Sequence, residues 1–427
     1  MTQLKDDCFA SGDELMGLDT ALQRLSDSLD AVVDVETIAL TEGVGRILAR
    51  DQIAGRDVPA HDNSAVDGYA VWFDDLTPGG ETRLQVTGRI TAGHPLDRAP
   101  RPGECLRIFT GAAMPTSPDG GPDTVFMQED VEVDGDHVIL PDGLTQGSNR
   151  RFRGEDIKTG TTILNAGQRL RPQEVGLAAS VGIDALPVYK RLSVAVFSTG
   201  DEIRDPSDEA PEGCVFDANR FSVMGLLSRL GCDVTDLGIL PDNLDSITDA
   251  LKGASAKHDL LITSGGVSVG DEDHVKPAVE SLGRLDFWRL AIKPGRPIAL
   301  GTINGGNVSD TVFVGLPGNP VAAMVTFMRV VAPVVKLLSG EPIRPPHLFG
   351  VTAAFTHKKK SGRREWVRCR LEVADDGTLK AVKHPSGGAG VLSSMVFSDG
   401  LVELPEDQTD VKEGEQVQFL PFTEVCP

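Results

Sequence analysis

Several things are scarce in this chain, and each scarcity excludes a class of protein. No uninterrupted apolar run reaches the about 18 residues of a membrane-spanning helix, so none is expected. The first residues, MTQLKDDCFASGDELM, are acidic and lack an apolar core, so no signal peptide is expected and a cytoplasmic location is. The six cysteines (Cys8, Cys105, Cys214, Cys232, Cys369, Cys426) are scattered without a CxxC pair. That favours reduced thiols over a disulfide frame or a zinc site. Positive charge is also short: 41 Lys and Arg stand against 63 Asp and Glu, a formal net charge of −22. A nucleic-acid partner would need a basic face, and the balance argues against one. There is no internal repeat and no low-complexity tract, and Lys358-Lys359-Lys360 is too short for a nucleic-acid arm.

What is present is enough for ordinary globular cores. Apolar residues make up 40% of 427, and that length suggests about three domains. Leu15, Leu18, Leu22, Leu25 and Leu29 recur at helical spacing, so 15–29 reads as an amphipathic helix. A second, shorter helix is expected within 38–49, around Gly45-Arg46-Ile47-Leu48. From about 52 to 150, Gly and Pro recur between short apolar runs such as 84–86, 125–127 and 137–140, the pattern of an all-β module. A helix over 174–181 follows Pro172 and stops at Gly182. From Val188 the pattern alternates: strands at 192–197, 234–240, 260–263 and 312–316, and helices at 219–230, 244–256 (capped by Asn243 or Asp242) and 321–338. Alternation of this kind predicts parallel strands with right-handed crossovers. After the break EPIRPP, residues 345–427 revert to short strands separated by Gly turns, a small β-barrel or sandwich.

Ser264 to Lys276, SGGVSVGDEDHVK, is the most informative segment. A short apolar run enters Gly265-Gly266, where backbone amides can approach an anion because no Cβ intervenes. Carboxylates placed just after such a cradle do not bind the anion; they suit a hard divalent cation or proton transfer. The plain alternative is a Gly turn followed by a solvated acidic loop. Two more rigid turns, LAIKPGRP (290–297) and GLPGNPVA (315–322), follow apolar runs, and LSVAVFSTGDEI (192–203) is another strand ending in a Gly turn with Asp201 and Glu202. Loops of this kind gather at the carboxyl edge of a parallel sheet, where open α/β sheets bind ligands.

SGGVSVGDED, LAIKPGRP and GLPGNP, with DNSAVDGYA (62–70), RIFTGAAMP (107–115) and RFRGEDIKTG (151–160), together resemble the MoeA-type molybdopterin molybdenumtransferases, related to the C-terminal domain of gephyrin. The resemblance runs over roughly residues 15–405. It implies a multidomain α/β-plus-β chain: an N-terminal helix (1–28) packed on the α/β domain, a linking domain (29–52 and 151–186), a β-rich inserted module (53–150), a three-layer α/β molybdopterin-binding domain (187–340) and a C-terminal β-barrel (345–427). It further implies an enzyme that inserts molybdenum from molybdate into adenylylated molybdopterin and releases AMP.

That reaction needs a pyrophosphate held, a tetrahedral dianion bound nearby and a P–O–P bond cleaved. Ser264, Gly265 and Gly266 suit the first demand. Gly318 and Asn319 suit a second contact, because a helix begins at Pro320 and its dipole favours an anion. Glu202, Asp242 and Asp273 match the family's acidic positions around a Mg²⁺ ion and the scissile bond, with Asp273 the first choice. Asp67 and Asp156 match family functional acids. The loops of Asp67 and Thr110, from the β-rich module, reach the α/β domain of the other subunit in the family, implying a homodimer with composite sites, while Gly154-Glu155-Asp156 with its arginines reads equally as a surface ion-pair cluster. Asp and Asn in Gly-rich turns also commonly cap the backbone. Lys293, Arg289, Arg296 and Arg368 are the candidate anion ligands, and Arg150, Arg151 and Arg153 add local positive charge. Two departures stand out: Arg289 where some relatives have Lys, and Ala389 where some carry a Ser hydroxyl that Ser386 or Ser393 would replace. The rival readings are a molybdopterin adenylyltransferase, which shares the SGG loop, and a non-catalytic scaffold of the gephyrin type. Tungstate in place of molybdate stays open.

Overall fold

In the computed structural model, residues 15–266, 274–304 and 310–425 are described. The organising element is a six-stranded sheet in the spatial order Asp233–Leu240, Ser193–Thr199, Leu260–Ser264, Thr311–Leu316, Pro297–Ile303, Gly283–Arg289. The first four strands are parallel, as the alternation predicts. The last two form an antiparallel extension, with Ala299 opposite Gly315 and Phe287 opposite Ala299.

The strands alternate strictly between two cores. Val194, Val196, Leu260, Ile262, Val312 and Val314 face one side, against the helices Leu18–Ser28, Asn219–Arg229 and the run Pro320–Leu338. Ala195, Phe197, Leu261 and Phe313 face the other, against Leu244–Ser255 and Val275–Leu282. A period of two on a sheet covered on both faces makes the three layers. Asn243 is the cap of Leu244–Ser255, its side chain accepting from the Ser246 amide at 2.9 Å. Pro320–Leu338 is long and apolar enough to cross a membrane, the one such run among the described residues. It is 78% buried inside the protein, which marks it as the core helix. It carries a π-helical turn over Phe327–Val331.

The short helix expected around Gly45–Leu48 is not there. Val35–Ala39 is a strand paired antiparallel with Ala185–Tyr189, a 3₁₀ turn covers Leu40–Glu42, and Gly45 sits at φ 81°. Val35, Thr37 and Ile38 are β-branched and pack better on a pleated surface than in a helix. This strand pair shares one core with Leu164, Leu170 and Ala178, the last from the helix Pro172–Ser180. Chain on both sides of the β-rich segment therefore builds a single unit. The β-rich segment forms its own six-stranded sheet, from Gly68–Val71 to His137–Leu140.

The C-terminal segment closes on itself. Its sheet runs Arg364–Val373, Leu379–Lys383, Phe349–Ala353, Gln416–Pro421, Gly400–Leu404, and the last strand pairs back onto Arg364–Val373 to complete a barrel. A sixth, very short strand joins it from the α/β domain: Ile292–Lys293 pairs in parallel with Arg364 and Glu365. Among the described residues all cysteines are free. Burial pushes the thiols of Cys105, Cys232 and Cys369 up to about 12, so they are unreactive packing residues.

Candidate functional site: a cavity between the glycine loops and the barrel

The loops after Ser193–Thr199, Leu260–Ser264 and Thr311–Leu316 lie at the carboxyl edge of the sheet. The 290–296 turn reaches the same edge, because it joins the end of Gly283–Arg289 to the start of Pro297–Ile303. The barrel stands over that edge. Between them lies a cavity of ≈ 600 Å³, a size suited to a small molecule. The glycine loops contribute Gly265, Gly266, Lys293, Arg296, Gly318 and Asn319, and the barrel side contributes His357, Glu365, Arg368, Lys383, His384 and Ser386.

Local backbone demands explain the glycines. Gly265 and Gly266 have φ of 91° and 65°, the left-handed region, and a Cβ on Gly266 would stand 2.6 Å from Thr199 Cγ2. Gly295 has φ 90°, and a Cβ there would stand 2.2 Å from Thr326 Oγ1. That turn is therefore seated against the core helix, and it carries Lys293 and Arg296 on its two sides.

Ser264 lies one residue behind the cradle. Asn219, first residue of the helix Asn219–Arg229, donates from Nδ2 to Ser264 Oγ and to the Gly318 carbonyl, each at 2.7 Å. One amide thus ties the Ser264 and Gly318 loops together. Sequence reading missed Asn219; its signal was a polar residue opening a helix at the ligand edge. On the far side, the Val321 amide donates to the Ala389 carbonyl at 2.9 Å, joining the start of the core helix to the barrel loop.

The electrostatics come mostly from the barrel. Lys293 Nζ donates to Glu365 Oε1 at 2.8 Å, His357 Nε2 meets the same oxygen at 2.9 Å, and Lys383 Nζ meets His357 Nδ1 at 3.1 Å. Burial pushes the Glu365 carboxyl up. The hydrogen bonds from His357 and Lys293 outweigh burial and hold it at about 2. Its second oxygen, Oε2, is buried without a partner. Arg368 is 5% exposed and donates to Ser394 Oγ (3.1 Å) and to the carbonyls of Ser386 (3.1 Å) and Gly388 (3.2 Å), so it shapes the loop beneath Ala389. Sequence reading found Arg368 and missed Glu365, His357, Lys383 and His384. They sit on short strands and loops rather than in glycine turns, and among the many charges of RREWVRCRLE (363–372) nothing singles out Glu365.

The other expected residues lie elsewhere. Arg289 is exposed at a strand end and does not line the cavity. Asp242 Oδ1 accepts from Thr199 Oγ1 at 3.2 Å, and Glu202 folds back over Gly200, its Oε2 2.7 Å from where a Cβ would be. Both belong to loops at the ligand edge beside Gly266, though neither lines the cavity. Asp273 falls outside the described residues. Among those described, no group of three or more metal-ligating side chains converges. Asp67 and Thr110 are together in the β-rich module: Asp67 Oδ1 accepts from Thr110 N (2.8 Å) and Oγ1 (2.7 Å), which hold its carboxyl below the usual range. Asp156 is exposed in the linking unit, near Arg153, which pairs with Asp57. Arg150 stacks on Phe152 at 4.4 Å.

Comparison with known proteins agrees with this architecture. The MoeA N-terminal region (domain I and II) matches residues 16–182, the probable molybdopterin binding domain matches 195–337, and the MoeA C-terminal region (domain IV) matches 351–422. A molybdopterin molybdenumtransferase of Haemophilus influenzae is 38% identical over 96% of this chain and 99% of its own length. One from Nostoc is 33% identical over 93% and 91%. The crystal structure of the molybdopterin biosynthesis protein MoeA from Pyrococcus horikoshii superposes with a TM-score of 0.80 at 28% identity, covering 96% of this chain and all of that one. With matches that run through every structural unit described above, the chain belongs to the molybdopterin molybdenumtransferase family.

Proposed function

We propose that the cavity between the glycine loops and the barrel is where this enzyme brings molybdate to adenylylated molybdopterin, inserts the metal and releases AMP. The observation that carries this reading is convergence. The cradle at Gly265-Gly266, the Gly318-Asn319 turn and the basic residues Lys293, Arg296, Arg368 and Lys383 all line one cavity in a chain of net charge −22. The mean field repels anionic substrates, so local cations must outweigh it.

In this reading the Gly265-Gly266 cradle, which admits close approach because it has no Cβ, holds the pyrophosphate while Asn219 ties the two loops together. The basic wall takes the oxyanion. Glu202, Asp242 and Asp273 would hold Mg²⁺; the two described carboxylates offer hard oxygens at the ligand edge, the donor type that ion takes. When bound, Mg²⁺ supplies charge neutralisation on the phosphates. Asp67 and Thr110 would reach the site of a second subunit in a homodimer, Asp156 would be a further functional acid, and the reaction would run in the cytoplasm.

The test is AMP release from adenylylated molybdopterin, with and without molybdate and with and without Mg²⁺. Release that needs both supports the reading. Asp273→Asn should nearly abolish release with unchanged thermal stability. Full turnover in that variant would remove Asp273 from the site.

A further inference from the structure

The cations of the cavity are not equivalent, and their partners rank them. Lys293 is hydrogen-bonded to an ionised carboxylate that lines the same wall, so its charge is largely cancelled locally. Among the described residues the Lys383 ammonium has no carboxylate partner, and its hydrogen bond is to His357 Nδ1. That contact fixes the imidazole. Glu365 Oε1 can only accept, so His357 Nε2 carries the proton, and an ammonium has donors only, so Nδ1 presents its lone pair. Both contacts are satisfied by the neutral Nε2–H tautomer and by no other. Lys383 is thus held in place by an uncharged acceptor and keeps its full charge.

We propose that Lys383 is a further anion-binding residue of this cavity, aimed at a tetrahedral oxyanion by the positioning pair His357 and Glu365. The inference rests on the reading of the cavity as an oxyanion site and goes beyond it by naming a lysine on its barrel side whose charge no carboxylate among the described residues compensates. Glu365 is 4% exposed and doubly hydrogen-bonded, His357 is pinned between it and the lysine, and Lys383 ends the strand Leu379–Lys383 at the cavity wall. Glu365 and Lys383 sit on barrel strands and His357 on the short strand His357–Lys358, which limits the freedom a long lysine side chain otherwise retains. An ammonium placed in advance loses less entropy when the anion arrives.

The experiment is equilibrium dialysis of the full chain against molybdate alone at fixed ionic strength, with bound molybdenum read by mass spectrometry and sulfate as competitor. Lys383→Ala should weaken molybdate binding at least tenfold, and Lys383→Arg by less than about threefold, because charge is what the site uses. His357→Phe should weaken binding less than Lys383→Ala and add nothing in the Lys383→Ala background, as expected for a residue that acts through the lysine. Thermal midpoints run alongside identify any variant that does not fold, and the Arg variant keeps the test open if the Ala variant fails. If Lys383→Ala binds like wild type while Lys293→Ala is weakened, Lys383 is overturned and the oxyanion cavity stands. Lys383→Arg as weak as Lys383→Ala also overturns the assignment, since the effect is then packing. If neither lysine affects molybdate, the reading of the cavity itself fails.

Discussion

Replacing Gly295 by alanine should cost both stability and oxyanion binding, and the structure separates the causes. The residue sits at φ 90°, where an L side chain costs about 1–2 kcal/mol. The new methyl would stand 2.2 Å from Thr326 Oγ1 and 3.1 Å from the Ala322 carbonyl. Thr326 is fully buried, so relief requires displacement, an overpacking cost of about 1–3 kcal/mol. The sum is about 2–5 kcal/mol, read from urea unfolding. The turn is the part that can move, and it carries Lys293 and Arg296, so half-saturating molybdate should rise as well. Thr326 supplies the control. Its hydroxyl is buried without a hydrogen-bond partner, so Thr326→Ala alone should cost under about 1 kcal/mol. In the double variant Gly295→Ala/Thr326→Ala the clash is gone and the backbone strain remains, so about 1–3 kcal/mol should return. Wild-type stability of Gly295→Ala, or a double variant no better than the single one, would refute this account of the turn.

Glu365→Gln removes a carboxylate held at about 2 against an ordinary 4.5. A depressed carboxyl stabilises the fold above its unfolded value and loses that contribution as pH falls toward its folded value. Wild type should therefore be more stable than the variant at pH 7, and the gap should narrow steadily below pH 4.5; a gap independent of pH counts against the hydrogen-bond account. Asn219→Ala frees Ser264 and the Gly318 carbonyl together, at about 1–2 kcal/mol, and should raise the half-saturating concentration of the pterin substrate more than that of molybdate; equal shifts would argue against a tie between phosphate-facing loops. If sites are shared between subunits, mixing Asp67→Ala with Asp273→Ala protein should partly restore AMP release. No recovery once heterodimers are verified would place each site within one chain.

Much of the fold was legible because local signals agreed with it. Asn219, Asn243 and Pro320 open helices where expected, and Gly182 stands just past the end of one, at φ 84°. The glycine motifs marked the ligand edge for the same reason: positive φ and close approach leave a compositional trace. The 38–49 segment was misread because four residues around Gly45 gave too short a window, while the strand partner of Val35–Ala39 lies at Ala185–Tyr189, far along the chain. The cavity's second wall was illegible for a related reason. Glu365, His357 and Lys383 meet only because two paired barrel strands and the separate short strand His357–Lys358 come together, and nothing in their immediate neighbours encodes that meeting.

The helix Leu18–Ser28 has a consequence for synthesis of the chain. Its apolar face, Leu18, Ala21 and Leu25, is covered by the core that includes Leu290 and the run to Leu338, and Asp19 takes a two-pronged hydrogen bond from Arg364, 345 residues downstream. At a ribosomal pace of about 5–20 residues per second, roughly 20–70 s separate the emergence of this helix from that of its last partner. Throughout that interval a leucine-rich surface waits for a seat that has not yet been made. Nascent chains of this protein should therefore engage holdase chaperones early, through their first thirty or so residues, and be released only as the barrel emerges.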